Sequence, residues 1–261
     1  MRPKKSLGQN FLMHAQIAER IVDVAGVGSA DTVLEVGPGT GKLMRALLQK
    51  VGNVIAVETD AELLPQLHET FAREIGAGTL RVEHADIRTY NFAELPKKYH
   101  VVANIPYYIT GEIIRLFLSA PHKPLSMTLL VQKEVAERVA RNTKESLLSL
   151  SVKAYGTPRY QFTVSRGAFM PAPNVDSAVL TISNIGNPFS TKEKEQWFFD
   201  VLHAGFAHKR KLLVRNLEAV SAPHDIASAF SSLLIPPKTR AEDVSLASWV
   251  QLCETLTPRT V

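Results

Sequence analysis

Val33-Leu34-Glu35-Val36-Gly37-Pro38-Gly39-Thr40-Gly41 places a glycine-rich turn directly behind an apolar stretch and ahead of a helical pattern. Glycine adopts backbone angles closed to other residues and lets a ligand approach the main chain closely. Three nucleotide-loop patterns compete for such a turn. A phosphate loop needs glycine where Val36 stands and a hydroxyl where Leu43 stands, so Gly41-Lys42 matches it only superficially. A dinucleotide fingerprint needs its third glycine at position 42, which is lysine, and a dinucleotide oxidoreductase fails on that point. An acidic strand followed by alternating glycines is the pattern that fits; a purely structural tight turn is its plain alternative.

Outward from this turn, β-branched apolar stretches recur at Thr32–Val36, Val54–Glu58, Leu80–Glu83, Val101–Asn104 and Met127–Val131. Helical patterns lie between them, at His14–Val27, Gly41–Val51, Ala61–Ile75, Glu112–Ser119 and Lys133–Asn142. Short continuous apolar strands separated by helices predict a buried, mostly parallel sheet. Tyr160–Ser165 and Ala178–Ser183 have strand character with no helix between them, which suits an antiparallel pair at the sheet's edge. Asn184-Ile185-Gly186-Asn187-Pro188 then reads as a linker, and Phe198, Leu202, Phe206, Leu213 and Leu217 follow at near-helical spacing. The expected architecture is α/β: a seven-stranded, mostly parallel sheet over residues 1–186 and a small all-helical domain over residues 187–261.

Glu-x-Gly-x-Gly-x-Gly resembles motif I of the class I (Rossmann-like) methyltransferases, whose methyl donor is S-adenosylmethionine. Two further acids suit that cofactor. Glu58 ends the second strand, 21 positions after Gly37, where a carboxylate can accept both hydrogen bonds of a ribose diol. Asp86 follows the third strand and can accept from an adenine amine. Each alone is also what a solvated strand end looks like. Together they fall at the C-terminal ends of successive strands, where open α/β sheets bind ligands.

The fourth strand runs into Asn104-Ile105-Pro106-Tyr107-Tyr108. An adenine amine is a poor nucleophile because its lone pair is delocalised into the ring. The Asn104 side-chain oxygen and a carbonyl of the Ile-Pro segment can accept its two N–H groups and draw the nitrogen toward tetrahedral geometry. Proline stiffens the turn that aims these acceptors, and Tyr107 offers a face for stacking, worth about 1–3 kcal/mol per base. No carboxylate base is needed. Asn and Pro also make ordinary β-turns; the glycine loop three strands earlier in the chain is what favours chemistry.

With these motifs the chain resembles the ribosomal RNA adenine dimethylases, along most of its length. The resemblance starts at Lys5-Ser6-Leu7-Gly8-Gln9-Asn10-Phe11-Leu12, similar to the family's cofactor-covering segment, and runs through the glycine loop, Val57-Glu58-Thr59-Asp60, Asp86 and Asn104-Ile105-Pro106-Tyr107. It continues in Val131–Arg138 and Phe169–Ala178, and thins to Phe206–Lys211 in the helical part. It implies cofactor contacts at Asn10, Leu12, Gly37, Glu58, Asp86 and Asn104, and base handling by Asn104, Tyr107 and Phe169. Phe169, in a proline-rich loop after a strand, would be a second ring opposite Tyr107, unless it fills the core. Tyr108 departs from the Asn found there in many relatives and is assigned no role.

The resemblance implies N6,N6-dimethylation of two adjacent adenosines near the 3′ end of 16S rRNA in the small ribosomal subunit. Leu7-Gly8-Gln9-Asn10 and Asn174-Val175-Asp176-Ser177-Ala178 separate this branch from the resistance methylases of large-subunit rRNA, which share the other loops. A mainly non-catalytic assembly or transcription factor is the rival of another class. The net charge of +5 over 261 residues suits an anionic partner mildly. Basic residues gather at Arg2, Lys4 and Lys5, at Lys133, Arg138, Arg141 and Lys144, and, on what reads as a helix, at Lys209, Arg210, Lys211 and Arg215. One cysteine, Cys253, excludes an internal disulfide and a cysteine-rich zinc site. No metal site, secretory signal or membrane span is expected, and the reading is of a cytoplasmic monomer.

Overall fold

The computed structural model describes residues 3–4 and 7–259. The chain forms two compact units, one running to Ala140 with Gly156–Gly186, the other combining Arg141–Tyr155 with the residues from Asn187 onward. In the first unit the elements are β1 (Phe11–Leu12), α1 (Ala15–Ala25), β2 (Thr32–Val36), α2 (Lys42–Leu48), β3 (Asn53–Glu58), α3 (Leu64–Thr70), α4 (Ala72–Gly76), β4 (Leu80–His84), β5 (His100–Asn104), α5 (Thr110–Ser119), β6 (Ser126–Gln132) and α6 (Lys133–Ala140). The second unit's α7 (Leu147–Tyr155) interrupts it before β7 (Thr157–Val164), β8 (Phe169–Met170) and β9 (Ser177–Ser183).

Seven strands form one sheet in the order β4-β3-β2-β5-β6-β9-β7. From β4 to β6 all neighbours are parallel, while β9 runs antiparallel to both β6 and β7. The central strands read as unbroken apolar runs because helices cover them; Val33, Leu34, Val101, Val102, Leu129 and Leu130 are all fully buried. The order reverses between β2 and β5, so the loops after these two strands open toward one crevice, the usual ligand position in such sheets.

Three local outcomes differ from the sequence expectation. The helix read over Ala61–Ile75 is broken at Phe71, whose backbone leaves the helical region (φ −117°, ψ 26°). Its buried ring lies against Gly41, where an added Cβ would come within 2.6 Å of it. A two-stranded ribbon, β1 with β8, was not legible, since two-residue strands carry no periodicity. Helix α7 was also missed, and it belongs to the second unit rather than the first.

That second unit holds α8 (Lys192–Phe206), α9 (Leu213–Leu217), α10 (Pro223–Ser232) and α11 (Leu246–Thr255). Phe198, Leu202, Leu213, Leu217, Ile226 and Trp249 form its core. Trp249 packs so close to α8 that any side chain at Gly205 would clash, an added Cβ lying 2.4 Å from the indole. Lys209, Arg210 and Lys211 are not on a helix: they are exposed in the turn between α8 and α9, and only Arg215 is helical, paired with Glu218 at 2.9 Å. Among the described residues no helix is long and apolar enough to cross a membrane, and no cluster of ligand-type side chains could hold a metal. Arg2 and Lys5 lie outside the described residues.

Candidate active site

The loops after β2, β3, β4 and β5 and the segment leading into β1 line one cavity in the first unit. Gly37, Gly39 and Gly41 all take left-handed φ values (65°, 58° and 79°), which is why the turn demands glycine. They serve different ends. At Gly39 the Phe11 ring closes on the main chain, 2.9 Å from where a Cβ would stand, whereas at Gly37 an added Cβ would meet nothing within 4 Å. Gly37 therefore presents bare backbone toward the cavity.

Glu58 is almost fully buried, and its two oxygens accept the Gly39 N–H at 3.1 Å and the Asp60 N–H at 2.9 Å. Burial pushes its pKa up against these hydrogen bonds. The bonds fix the carboxylate plane and leave each oxygen a lone pair for a diol. Asp86 also lines the cavity but is clasped by Arg88, whose Nε lies 3.0 Å and terminal nitrogen 2.5 Å from its oxygens. Those bonds hold the Asp86 carboxyl below its usual range.

Glu35, recognised in the sequence only as a letter of the glycine pattern, is the least expected wall. It is 1% exposed, lines the cavity, accepts from the Met44 amide in the first turn of α2, and leaves Oε2 without a partner. Burial, with Glu58 nearby, raises its pKa well above the ordinary value. An acid inside an otherwise apolar strand was the signal available.

Asn104, at the end of β5, donates through Nδ2 to the main-chain oxygen of Asn10 at 3.0 Å. This fixes the amide plane, and no described group donates to Oδ1. Asn10 in turn donates to the Gly8 carbonyl at 3.1 Å. Pro106 (φ −57°) starts the short turn Tyr107–Ile109, closed by the Ile109 N–H on the Pro106 carbonyl at 3.2 Å. The half-buried Tyr107 lines the cavity, and its hydroxyl meets Ser177 Oγ at 2.5 Å. Leu12 is a buried wall, and Tyr108 is 63% exposed at the rim.

Phe169 is not brought to the cavity. It is 4% exposed, pairs with Leu12 across the β1–β8 ribbon, and sits in the core of the unit with Leu12. The ribbon's short register explains this: Leu12 and Phe169 share one face, and that face is turned inward. Seven of the eight sequence-selected residues thus border one cavity, and the eighth stands behind its Leu12 wall.

The family model for ribosomal RNA adenine dimethylases matches residues 1–258. The chain is 40% identical to the ribosomal RNA small subunit methyltransferase A of Dehalococcoides mccartyi strain CBDB1, over 97% of this chain and 88% of that one. It is 36% identical to the protein of that name from Lactococcus lactis, over 98% and 90%. Among solved structures it resembles the 23S rRNA methyltransferase ErmE (25% identity, TM-score 0.77, covering 95% of this chain and 99% of that one). A dimethyladenosine transferase from Plasmodium falciparum shares the fold (24% identity, TM-score 0.76, 93% and 95%).

Proposed function

Because the chain belongs to the ribosomal RNA adenine dimethylase family, we propose that it transfers methyl groups from S-adenosylmethionine to the N6 amine of two adjacent adenosines near the 3′ end of 16S rRNA in the small ribosomal subunit. The observation that carries this reading is the Asn104 amide, pinned by Asn10 with Oδ1 left to accept, on the wall of the cavity that Gly37 and Glu58 also line. Whole-length identity of 36–40% to small-subunit enzymes, against 25% to the 23S enzyme, supports the small-subunit target.

The cavity fits the cofactor on three counts: open space before the Gly37 backbone, a fixed diol acceptor in Glu58, and the orphaned Glu35 oxygen. When bound, the cofactor supplies an electrophilic sulfonium methyl. Gly37, Glu58 and Asp86 would hold its backbone-facing edge, ribose and adenine, and Asn10 and Leu12 would cover it. Asp86, whose two oxygens are taken up by the Arg88 main-chain and guanidinium N–H groups, would accept the adenine amine in exchange for one of those bonds. Asn104 Oδ1 and a carbonyl of Ile105-Pro106 accept the two N–H groups of the target amine, and Tyr107 stacks on its ring. The amine proton leaves after transfer, so a neutral asparagine suffices where a charged base would repel phosphates. Phe169 remains part of this proposal as a second ring only if β1 shifts off it when RNA binds.

The first unit is the catalytic part, and the second, which takes in Arg141–Tyr155 as well as the residues from Asn187 onward, is the RNA-binding part, with Lys209, Arg210 and Lys211 on the phosphate backbone. The enzyme works as a cytoplasmic monomer. Small subunits lacking the modification, incubated with labelled cofactor, should gain label at two neighbouring 16S adenines. Label on large-subunit RNA would move the protein to the resistance branch. Asn104→Ala should lower the transfer rate by at least about a hundredfold, the scale of losing an oriented polar contact to the reacting group, while subunit binding survives. Wild-type turnover in that variant would remove Asn104 from the mechanism.

A further inference from the structure

The segment Asp176-Ser177 is unused by the chemistry above, yet three separate stretches of chain end on it. Ser177 is completely buried and opens β9, with Gln132 of β6 on one side and Val164 of β7 on the other. A residue held between two strands has no freedom to drift, so its hydroxyl is a fixed point. That hydroxyl lies 2.5 Å from the Tyr107 hydroxyl. Asp176 accepts the Lys133 N–H on its main-chain oxygen at 3.0 Å, and the Arg166 N–H on Oδ1 at 2.9 Å. Arg166 begins the turn that leads into Phe169.

Tyr107 needs such a tether. Its short turn follows the strand end at Asn104, and the neighbouring Tyr108 has no comparable anchor and stands 63% exposed. A ring that must receive an unstacked base gains from having its tilt set in advance, since ordering it on binding costs rotamer entropy. Burial keeps the Tyr107 phenol protonated by raising its pKa, so the bond to Ser177 persists through the neutral range.

Resting on the proposed base-methylating function, we infer that Ser177 is a positioning residue which fixes where the Tyr107 ring sits by tethering its hydroxyl to the sheet, with Asp176 bracing the turn toward Phe169. Ser177 does not touch substrate. It acts through the tyrosine hydroxyl, which stacking itself does not use.

Single-turnover methyl transfer to small subunits lacking the modification tests this in Ser177→Ala, Tyr107→Phe and the double variant. Tyr107→Phe keeps the stacking face and the buried serine, so it probes the same bond if the serine variant folds poorly. Each single change should slow transfer by about two- to tenfold, the range set by one net hydrogen bond, and the double change should be no slower than the worse single. Cofactor affinity by calorimetry and subunit affinity should be unchanged, whereas a general loosening of the sheet would move the first. Wild-type rates in both single variants, or a double variant slowed by the product of the two, would overturn the inference. Failure of the wild-type protein to label small-subunit adenines would instead overturn the functional reading beneath it.

Discussion

Glu35 shows how much a single position can carry. Its carboxyl is sealed inside the first glycine-loop strand with one oxygen unpaired and a second carboxyl, Glu58, close by. Burial raises the folded pKa above the ordinary 4.5. The stability this residue contributes is therefore fully present below that value and is lost as pH rises through the raised one. Glu35→Gln should raise the melting midpoint of the ligand-free protein at pH 8 by about 2–4 °C, the shift that roughly 1 kcal/mol produces in a chain of this size. The gain should vanish toward pH 4. An unchanged or lowered midpoint at pH 8 would show that the carboxyl is not a burden there. The sequence made Gly37, Glu58 and Asn104 readable because their chemistry is local and their spacing is set by strand ends. It hid the work of Glu35 and Ser177, whose partners lie on elements distant in the chain, and it could not show that Phe169 faces inward.

At the level of elements, the cavity is closed by a strap rather than by a helix. Lys4 pairs with Asp60 at 2.7 Å and Glu62 at 3.0 Å, Gln9 donates to Asp60 at 2.8 Å, and Phe11 covers Gly39. Burial pushes the Asp60 pKa up, but the hydrogen bonds from Lys4, Gln9 and the Glu62 amide outweigh it and hold the carboxyl below its usual range. Lys4 is partly exposed, so its ion pair alone is worth little; the buried carboxylate with several donors is the stronger clasp. Asp60→Ala should weaken cofactor binding by about three- to tenfold, the loss of about 1 kcal/mol of closure, visible as faster cofactor release in stopped flow. Unaltered release would mean the strap is held by the β1–β8 ribbon alone. Helix α7 marks the limit of reading elements from pattern. Leu147-Leu148-Ser149-Leu150-Ser151-Val152 alternates as a strand would, and its serines are buried rather than polar-faced. They are satisfied locally, Ser149 by Glu145 just ahead of the helix and Ser151 by the Leu147 carbonyl inside it, a solution that periodicity does not announce.

For the whole molecule, the proposed function divides the work between the two units by the kind of force each can exert. The first has an apolar core under a cavity, where the proposed specificity for an amine would come from aimed acceptors at short range. The second has its own core around Trp249 and an exposed Lys209-Arg210-Lys211 turn. A net charge of +5 is too small and too spread to select one RNA, but a compact basic turn can add several phosphate contacts at one place. Three contacts release up to three condensed counterions, each contributing about 0.7 (single strands) to 0.9 (B-form duplex DNA) to the slope of log affinity against log salt. Replacing Lys209, Arg210 and Lys211 with alanine should therefore lower subunit affinity at low salt and flatten that slope by about 2–3. Cofactor affinity should not move, because no residue of the turn lines the cavity. Transfer at saturating subunit concentration should also hold, since the chemistry depends on Asn104 and Tyr107. A slope equal to that of the wild-type protein would place the phosphate contacts elsewhere and leave the basic turn a solvated surface.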